Sequence, residues 1–158
     1  MKKLHIRNAK KEDFEKLVDL QIAAWDYHHK NDALWSKSSG KTKIIQSLVK
    51  ETFLTGRNPL ALVLTCDDVV VGYATAEIRK KGEVYAEKKI GHIGTVFIDS
   101  GHRKLGLGKM AIDHFLEIFK KKKIKTVTLN VDIHNKLGIA AWRHMGFQDW
   151  RLELRTDI

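Results

Sequence analysis

A run of basic and glycine residues, Arg103-Lys104-Leu105-Gly106-Leu107-Gly108, stands between a strand pattern and a helix pattern. The segment before it, Ile93 to Ile98, is short and rich in β-branched and aromatic residues, as strands are. The segment after it, Lys109 to Phe119, sets Met110, Ile112, Phe115, Leu116 and Phe119 mostly at helical spacings. A chain in this order turns from strand to helix through Gly106 and Gly108, where no side chain shields the backbone. The first amides of a helix have no intrahelical acceptor, and the helix dipole adds positive potential there. Such an opening suits an anion, phosphate above all. Arg103, Lys104 and Lys109 add charge around it: a guanidinium suits bidentate phosphate contacts, and ammoniums act as point charges. The glycine spacing alone leaves open a close-packed turn whose basic residues are simply solvated.

Two common phosphate loops do not fit. Lys109 follows Gly108 without the Walker spacing, and no Ser or Thr comes next. A dinucleotide fingerprint belongs with the first strand of a βαβ series, whereas this loop comes late. A length of 158 residues suits one domain, 1–158, with one buried core. No apolar run approaches the roughly 20 residues a membrane helix needs. Leu4 and Ile6 are embedded in basic sequence, so no secretion segment is expected. Cys66 is the single cysteine; it allows no internal disulfide and no cysteine metal cluster, and it fits a reducing, cytoplasmic setting. The histidines show no ligand spacing, so no metal is expected. A formal charge of +10 favours anionic partners. The charge is spread along the chain, however, and its densest run, Lys120 to Lys123, closes a helix where the dipole favours cations. Without a zinc finger, an aromatic RNA-binding motif or an evident helix-turn-helix, no stable nucleic-acid partner is expected. A basic nucleic-acid-binding module remains the reading that charge alone would support.

The rest of the chain reads as follows. Leu4 to Arg7 is a first strand. Phe14, Leu17, Val18, Ile22 and Trp25 mark a helix ending near His28-His29, and residues 31–40 are polar and irregular. A second helix covers Thr42 to Phe53 with Ile44, Ile45, Leu48 and Val49 inward, and Gly56 and Pro59 bracket its exit. Leu60 to Cys66 and Val69 to Ile78 form a hairpin across Asp67-Asp68. After a turn at Lys80-Lys81-Gly82, Lys89 to Ile98 is the strand that delivers the glycine loop. A helix from Gly106 to Lys121, a strand from Lys125 to Val131, a short helix from Ile139 to His144 and a last strand from Trp150 to Arg155 complete the layout. This is an α+β, three-layer α/β/α arrangement rather than a regular βαβ series.

Three linked pieces now resemble the GCN5-related N-acetyltransferase family. Ile98-Asp99-Ser100 leads into Arg103 to Gly108, similar to that family's strand and Arg-x-x-Gly-x-Gly loop. Asn130 to Asn135 resembles the polar exit of the next strand. Asn135, Ala140, Trp142 and Gly146-Phe147 fall at the spacing of its Asn, Ala, Tyr and Gly-Phe signature. The resemblance spans residues 4–155. It implies a mixed, strongly twisted sheet whose two central parallel strands splay apart to admit acetyl-CoA. It further implies that the amides of Arg103, Lys104, Leu105, Gly106, Leu107, Gly108 and Lys109 hold the pyrophosphate. Backbone groups of Phe97 and Ile98 would pair with the pantetheine arm, and Asn130, Asn135 and Trp142 would lie along the cofactor. The reaction implied is acetyl transfer to a primary amine of a protein or small molecule, with no metal and with homodimerisation left open. A non-catalytic, sensory acyl-CoA binder is the alternative.

That chemistry needs a neutral amine, a stabilised oxyanion and a tolerable thiolate. An amine of pKa near 10 gives up ~4 kcal/mol on deprotonation at pH 7, at ~1.36 kcal/mol per unit. His92, where relatives carry a carboxylate, is the candidate base, since histidine titrates near neutrality. Glu77 is the second candidate and shares strand parity with Tyr73, although Arg79 competes for it. Trp142 replaces the usual tyrosine, and an indole N–H is a donor but not an acid; Tyr73 or water stands in. Gly138, where relatives often have alanine, weakens a helix start. Trp25, Tyr27, His28 and His29 are assigned to the acceptor side, or else cap a core.

Overall fold

The computed structural model describes residues 2–32, 34–56, 60–156 and 158. In chain order its elements are β1 (Leu4–Asn8), α1 (Phe14–Asn31), α2 (Thr42–Val49), β2 (Ala61–Cys66), β3 (Val69–Lys80), β4 (Lys89–Ile98), α3 (Leu107–Lys121), β5 (Val127–Leu129) and α4 (Lys136–His144). The β2–β3 hairpin turns through Asp67 and Asp68, at φ 50° and 66°. Consecutive left-handed residues match the twist of a two-residue hairpin, and aspartate tolerates them.

The five strands form one sheet in the order β1-β2-β3-β4-β5. All neighbours are antiparallel except β4 and β5, which run parallel. Side chains alternate between its two faces. Leu62, Leu64, Ala74, Ala76 and Ile93 pack with Leu107, Ala111, Ile112, Phe115 and Phe119 of α3, while Trp142, Met145 and Phe147 close this layer from the α4 side. Ala61, Val63 and Tyr73 face the other way and pack with Leu17, Val18, Leu20, Ala24, Ile45 and Val49 of α1 and α2. The expected three-layer, mixed-sheet architecture is therefore the one observed. At the start of α1, the buried carboxylate of Asp13 takes both Nη groups of Arg7 at 2.7 and 2.9 Å and the Lys10 amide at 2.7 Å. Burial alone raises this carboxyl; the Arg7 and Lys10 bonds outweigh it and hold it below the ordinary value.

Five local expectations are corrected. The second helix keeps regular geometry only to Val49, then widens into a π-helical turn over Lys50–Leu54 that brings Phe53 into the core. Ile44 and Leu48 are exposed while Ile45 and Val49 are buried, because the stripe that meets α1 lies one residue further round the helix. Gly56, at φ 69°, follows the turn, and Pro59 lies outside the described residues. The strand expected over Lys125 to Val131 is only Val127–Leu129, for a reason that lies in β4. Trp150 to Arg155 forms no strand, and Trp150, Leu152 and Leu154 stay exposed. The last helix begins at Lys136, three residues before its expected start, because Asn135 caps it by accepting from the Gly138 amide at 2.9 Å.

Candidate active site

The parallel strands part within three residues of pairing. Gly91, His92 and Ile93 of β4 stand beside Val127, Thr128 and Leu129 of β5. Between the cross-strand pairs Ala74–Val96 and Ala76–Ile93, β3 has one residue, Thr75, and β4 has two, Gly94 and Thr95. This bulge turns β4 away, so β5 loses its partner. Two contacts fix it: the Thr95 amide donates to Thr75 Oγ1 at 3.0 Å, and a Cβ at Gly94 would stand 2.7 Å from the same oxygen. An isolated glycine within a strand pattern is a bulge signal that the sequence offered at Gly94.

Beyond the bulge, the ladder alternation decides which backbone groups face the gap. The Asp99 amide donates to the Val71 carbonyl, and Phe97 is opposite Tyr73 in the same phase. Phe97 therefore turns its backbone groups to β3, while Val96 and Ile98 turn theirs outward. Of the expected pair Phe97 and Ile98, only Ile98 faces the gap; Val96 takes the other position, which no sequence signal marked because it depends on register. The Ile98 carbonyl already accepts from Arg103 Nε at 3.0 Å.

At the mouth of α3, Gly106 has φ 95° and nothing within 4 Å of where a Cβ would stand. The first amide to bond back is that of Met110, to the Gly106 carbonyl. Among the described residues, the amides of Gly106, Leu107, Gly108 and Lys109 have no backbone acceptor. Lys104 is also left-handed, at φ 61°. The loop thus presents main-chain donors with open space before Gly106, an arrangement that fits a pyrophosphate. Leu107 is buried and Leu105 half-buried, so their side chains anchor the loop in the α3 core. A Cβ at Gly108 would only touch Ile98 and Val96 at 3.6 and 3.9 Å, so Gly106 is the glycine that the turn demands. Lys109 is committed to Asp113 at 2.6 Å.

Across the gap, Asn135 Oδ1 accepts from Tyr27 Oη at 2.9 Å as well as from Gly138. A Cβ at residue 138 would stand 2.5 Å from Asn135 Nδ2, so this glycine makes room for the carboxamide rather than merely weakening the helix. The Arg103 guanidinium lies 5.9 Å from the Tyr27 ring centre. Tyr27 therefore links Arg103 and Asn135 to the acceptor-side group, since its ring also meets that of His28 edge-on at 6.1 Å. Asn130 is exposed just after β5. Trp142 packs edge-to-face on Phe147 at 5.5 Å and joins the core beneath α3, which favours its packing role.

Gly91 and Ile93 face α3, so His92 between them points to the α1–α2 face, with Glu77 and Thr128 as its cross-strand partners. Its Nδ1 meets Thr128 Oγ1 at 3.1 Å, and that hydroxyl donates to the Gly91 carbonyl at 3.4 Å. The hydroxyl must then accept from Nδ1–H, which leaves the lone pair on Nε2. Burial lowers the His92 pKa, and the charge of Arg79 lowers it further against the opposing pull of Glu77. Glu77 itself is exposed and bound by Arg79 at 2.6 Å. Tyr73 is buried between Phe53 and Phe97, and burial pushes its phenol far above the ordinary value, so it cannot serve as an acid near neutrality. Trp25 donates to the Ser36 carbonyl, His28 stacks on Trp35 at 4.6 Å, and His29 Nδ1 donates to the Trp35 carbonyl. These three pin residues 35–36 to the end of α1. A cavity of ≈ 190 Å³ opens between α1, α2 and the bulge, lined by Gln21, Leu48, Val49, Thr52, Phe53, Tyr73, Thr75 and Thr95. Gln21 was missed; its signal was a polar residue four places from both Leu17 and Trp25 on an apolar stripe.

Among the described residues, no three His, Cys, Asp or Glu side chains gather to hold a metal ion, and no helix is long and apolar enough to cross a membrane. The model of the acetyltransferase (GNAT) family matches residues 9–147. The chain is 27% identical over 94 residues to the ribosomal protein bS18-alanine N-acetyltransferase of Salmonella typhimurium, covering 60% of this chain and 58% of that one. The match thus spans little more than half the length of that relative. The fold is similar to that of the aminoglycoside N-acetyltransferase AAC(6')-Iy in complex with CoA, with a TM-score of 0.75 at 16% identity over 99% of this chain and 96% of that one. It is similar also to the BH1408 protein from Bacillus halodurans, with a TM-score of 0.84 at 14% identity over 98% and 99% of the two chains.

Proposed function

Because the chain belongs to the acetyltransferase (GNAT) family, we propose that it transfers an acetyl group from acetyl-CoA to a primary amine by direct attack in a ternary complex. The observation that carries this reading is the run of amides from Gly106 to Lys109 without backbone acceptors, opening beside the place where β4 and β5 part. In this reading those amides and the Arg103 guanidinium hold the pyrophosphate. Val96 and Ile98 pair with the pantetheine arm as an added strand would, and Asn135 exchanges Tyr27 for the cofactor. Neutral His92, with its lone pair on Nε2, takes the proton of the attacking amine through a water. A bulge amide of β4 stabilises the oxyanion. The thiolate leaves without an acid from Trp142, since a thiol of pKa near 8.5 is a tolerable leaving group. One domain of 158 residues in a reducing, cytoplasmic setting is consistent with the lone Cys66. A non-catalytic acyl-CoA binder is the second reading, and Trp142 in the place of the acid favours it.

Titration calorimetry with acetyl-CoA and CoA tests the proposal. Saturable binding in which the two ligands compete is expected; no saturable binding rejects the cofactor assignment. Thiol release across an amine panel then separates enzyme from sensor.

A further inference from the structure

Beside the cavity behind the β4 bulge lies a polar group that the fold leaves unmet. Gln21 lines its wall, and Gln21 Oε1 is buried with no hydrogen-bond donor among the described residues. A buried acceptor left unmet is destabilising, and at this place on the inward stripe of α1 an apolar side chain would serve packing better. The cavity of ≈ 190 Å³ has room for several waters, and so for a small ligand. Thr75 and Thr95, joined across the bulge, border it on the sheet side, and Leu48 and Phe53 give it an apolar wall. Among the described residues, no carboxylate, ammonium or guanidinium lines it.

We propose that this cavity receives the acceptor as a neutral primary amine on a short, uncharged stem, and that Gln21 Oε1 accepts a hydrogen bond from that amine. The terminal torsion of a glutamine is soft, so a half-turn of the carboxamide presents the oxygen to the cavity. A wall without carboxylates does nothing to stabilise an ammonium, and burying one there is unfavourable. One N–H is thus held by Gln21 while the nitrogen lone pair stays free. On attack, the C–N bond forms and the C–S bond breaks. The sulfur leaves with its electron pair, and the surplus proton of the nitrogen passes to the base. The inference rests on the acetyl-transfer reading for its chemistry, but the amine site can be tested without turnover.

The test is ligand-observed NMR of butylamine, with putrescine in parallel, on the protein with and without CoA from pH 7 to 9. Butylamine should bind saturably, and its affinity should rise about tenfold per pH unit as the neutral fraction of an amine of pKa near 10 grows. Putrescine should bind at least about tenfold more weakly, because a second charge must enter or be held at the mouth. Gln21→Leu should weaken butylamine about tenfold, as loss of one hydrogen bond does, while its thermal midpoint holds or rises because the unmet oxygen is gone. Thr52→Trp, which fills the cavity, should remove butylamine binding and leave CoA binding intact. The proposal is overturned if butylamine does not bind, binds Gln21→Leu equally, shows no pH dependence or is matched by putrescine. Absence of CoA binding, with butylamine binding preserved, would instead sink the acetyl-transfer reading alone.

Discussion

Replacing Gly138 by alanine sets two effects on α4 against each other, and the structure decides the sign. Alanine in a helix is favoured over glycine by about 0.8–1.0 kcal/mol, somewhat less in a first turn. The new Cβ, however, would stand 2.5 Å from Asn135 Nδ2, 2.8 Å from Cγ and 2.9 Å from Oδ1. These atoms are the end of a side chain and can swing away, so the collision itself is cheap. The swing breaks the helix cap to the residue 138 amide, about 1 kcal/mol. It also breaks the bond from Tyr27, about 0.5–1.5 kcal/mol. The net expectation is a loss of about 1 kcal/mol, a fall of about 2–4 °C in thermal midpoint for a chain of this size. In an Asn135→Ala background the carboxamide is already gone, and Gly138→Ala should then be neutral or stabilising. Calorimetric or circular-dichroism melts of the four proteins in this cycle read the coupling directly. A midpoint that rises for Gly138→Ala in the otherwise native chain, with no coupling to Asn135, would refute the reasoning.

Three further outcomes are expected. Burial and Arg79 lower the His92 pKa, so the acidic limb of kcat/KM should lie below the ordinary 6.5, move up in Arg79→Gln and vanish in His92→Gln; a limb unchanged in His92→Gln would remove this residue as the base. Gly106→Ala meets no atom within 4 Å but must hold φ 95°, so urea unfolding should show a loss of about 1–2 kcal/mol from backbone strain alone; a stability equal to that of the native chain would mean that the loop relaxes. Arg7→Met leaves Asp13 buried without its partner and should lower stability at pH 7 by about 3–5 kcal/mol. Because the Asp13 carboxyl is held below 3.8, that contribution is present above pH 3.8 and fades as pH falls through the lower folded value, so denaturation at pH 7 and pH 2 should show a large and then a small difference.

The resemblance itself rested on local words of sequence, and local physics explains why they were legible. The Arg103 to Gly108 loop, the Asp67-Asp68 turn and the α3 stripe each depend on neighbouring residues: a left-handed glycine, paired turn aspartates, a helical period. The sequence also offered candidates whose company it did not determine. His92 was visible as a histidine before a glycine loop, but its tautomer depends on Thr128, thirty-six residues away. Tyr73 and Glu77 share strand parity, yet one is sealed between two aromatic rings and the other is bound to Arg79 at the surface. Tyr27, grouped by sequence with Trp25, His28 and His29, also bonds to Asn135, which stands 108 positions further on. The amino-acid order alone therefore determined most element types, the left-handed glycine turn into α3 and the family. Only the tertiary structure decided the early end of β5, the outward turn of Val96 in place of Phe97 and the cavity at Gln21. Periodicity and propensity are properties of adjacent residues, whereas register, bulges and unmet polar atoms arise when distant strands settle how their summed side chains can be buried together.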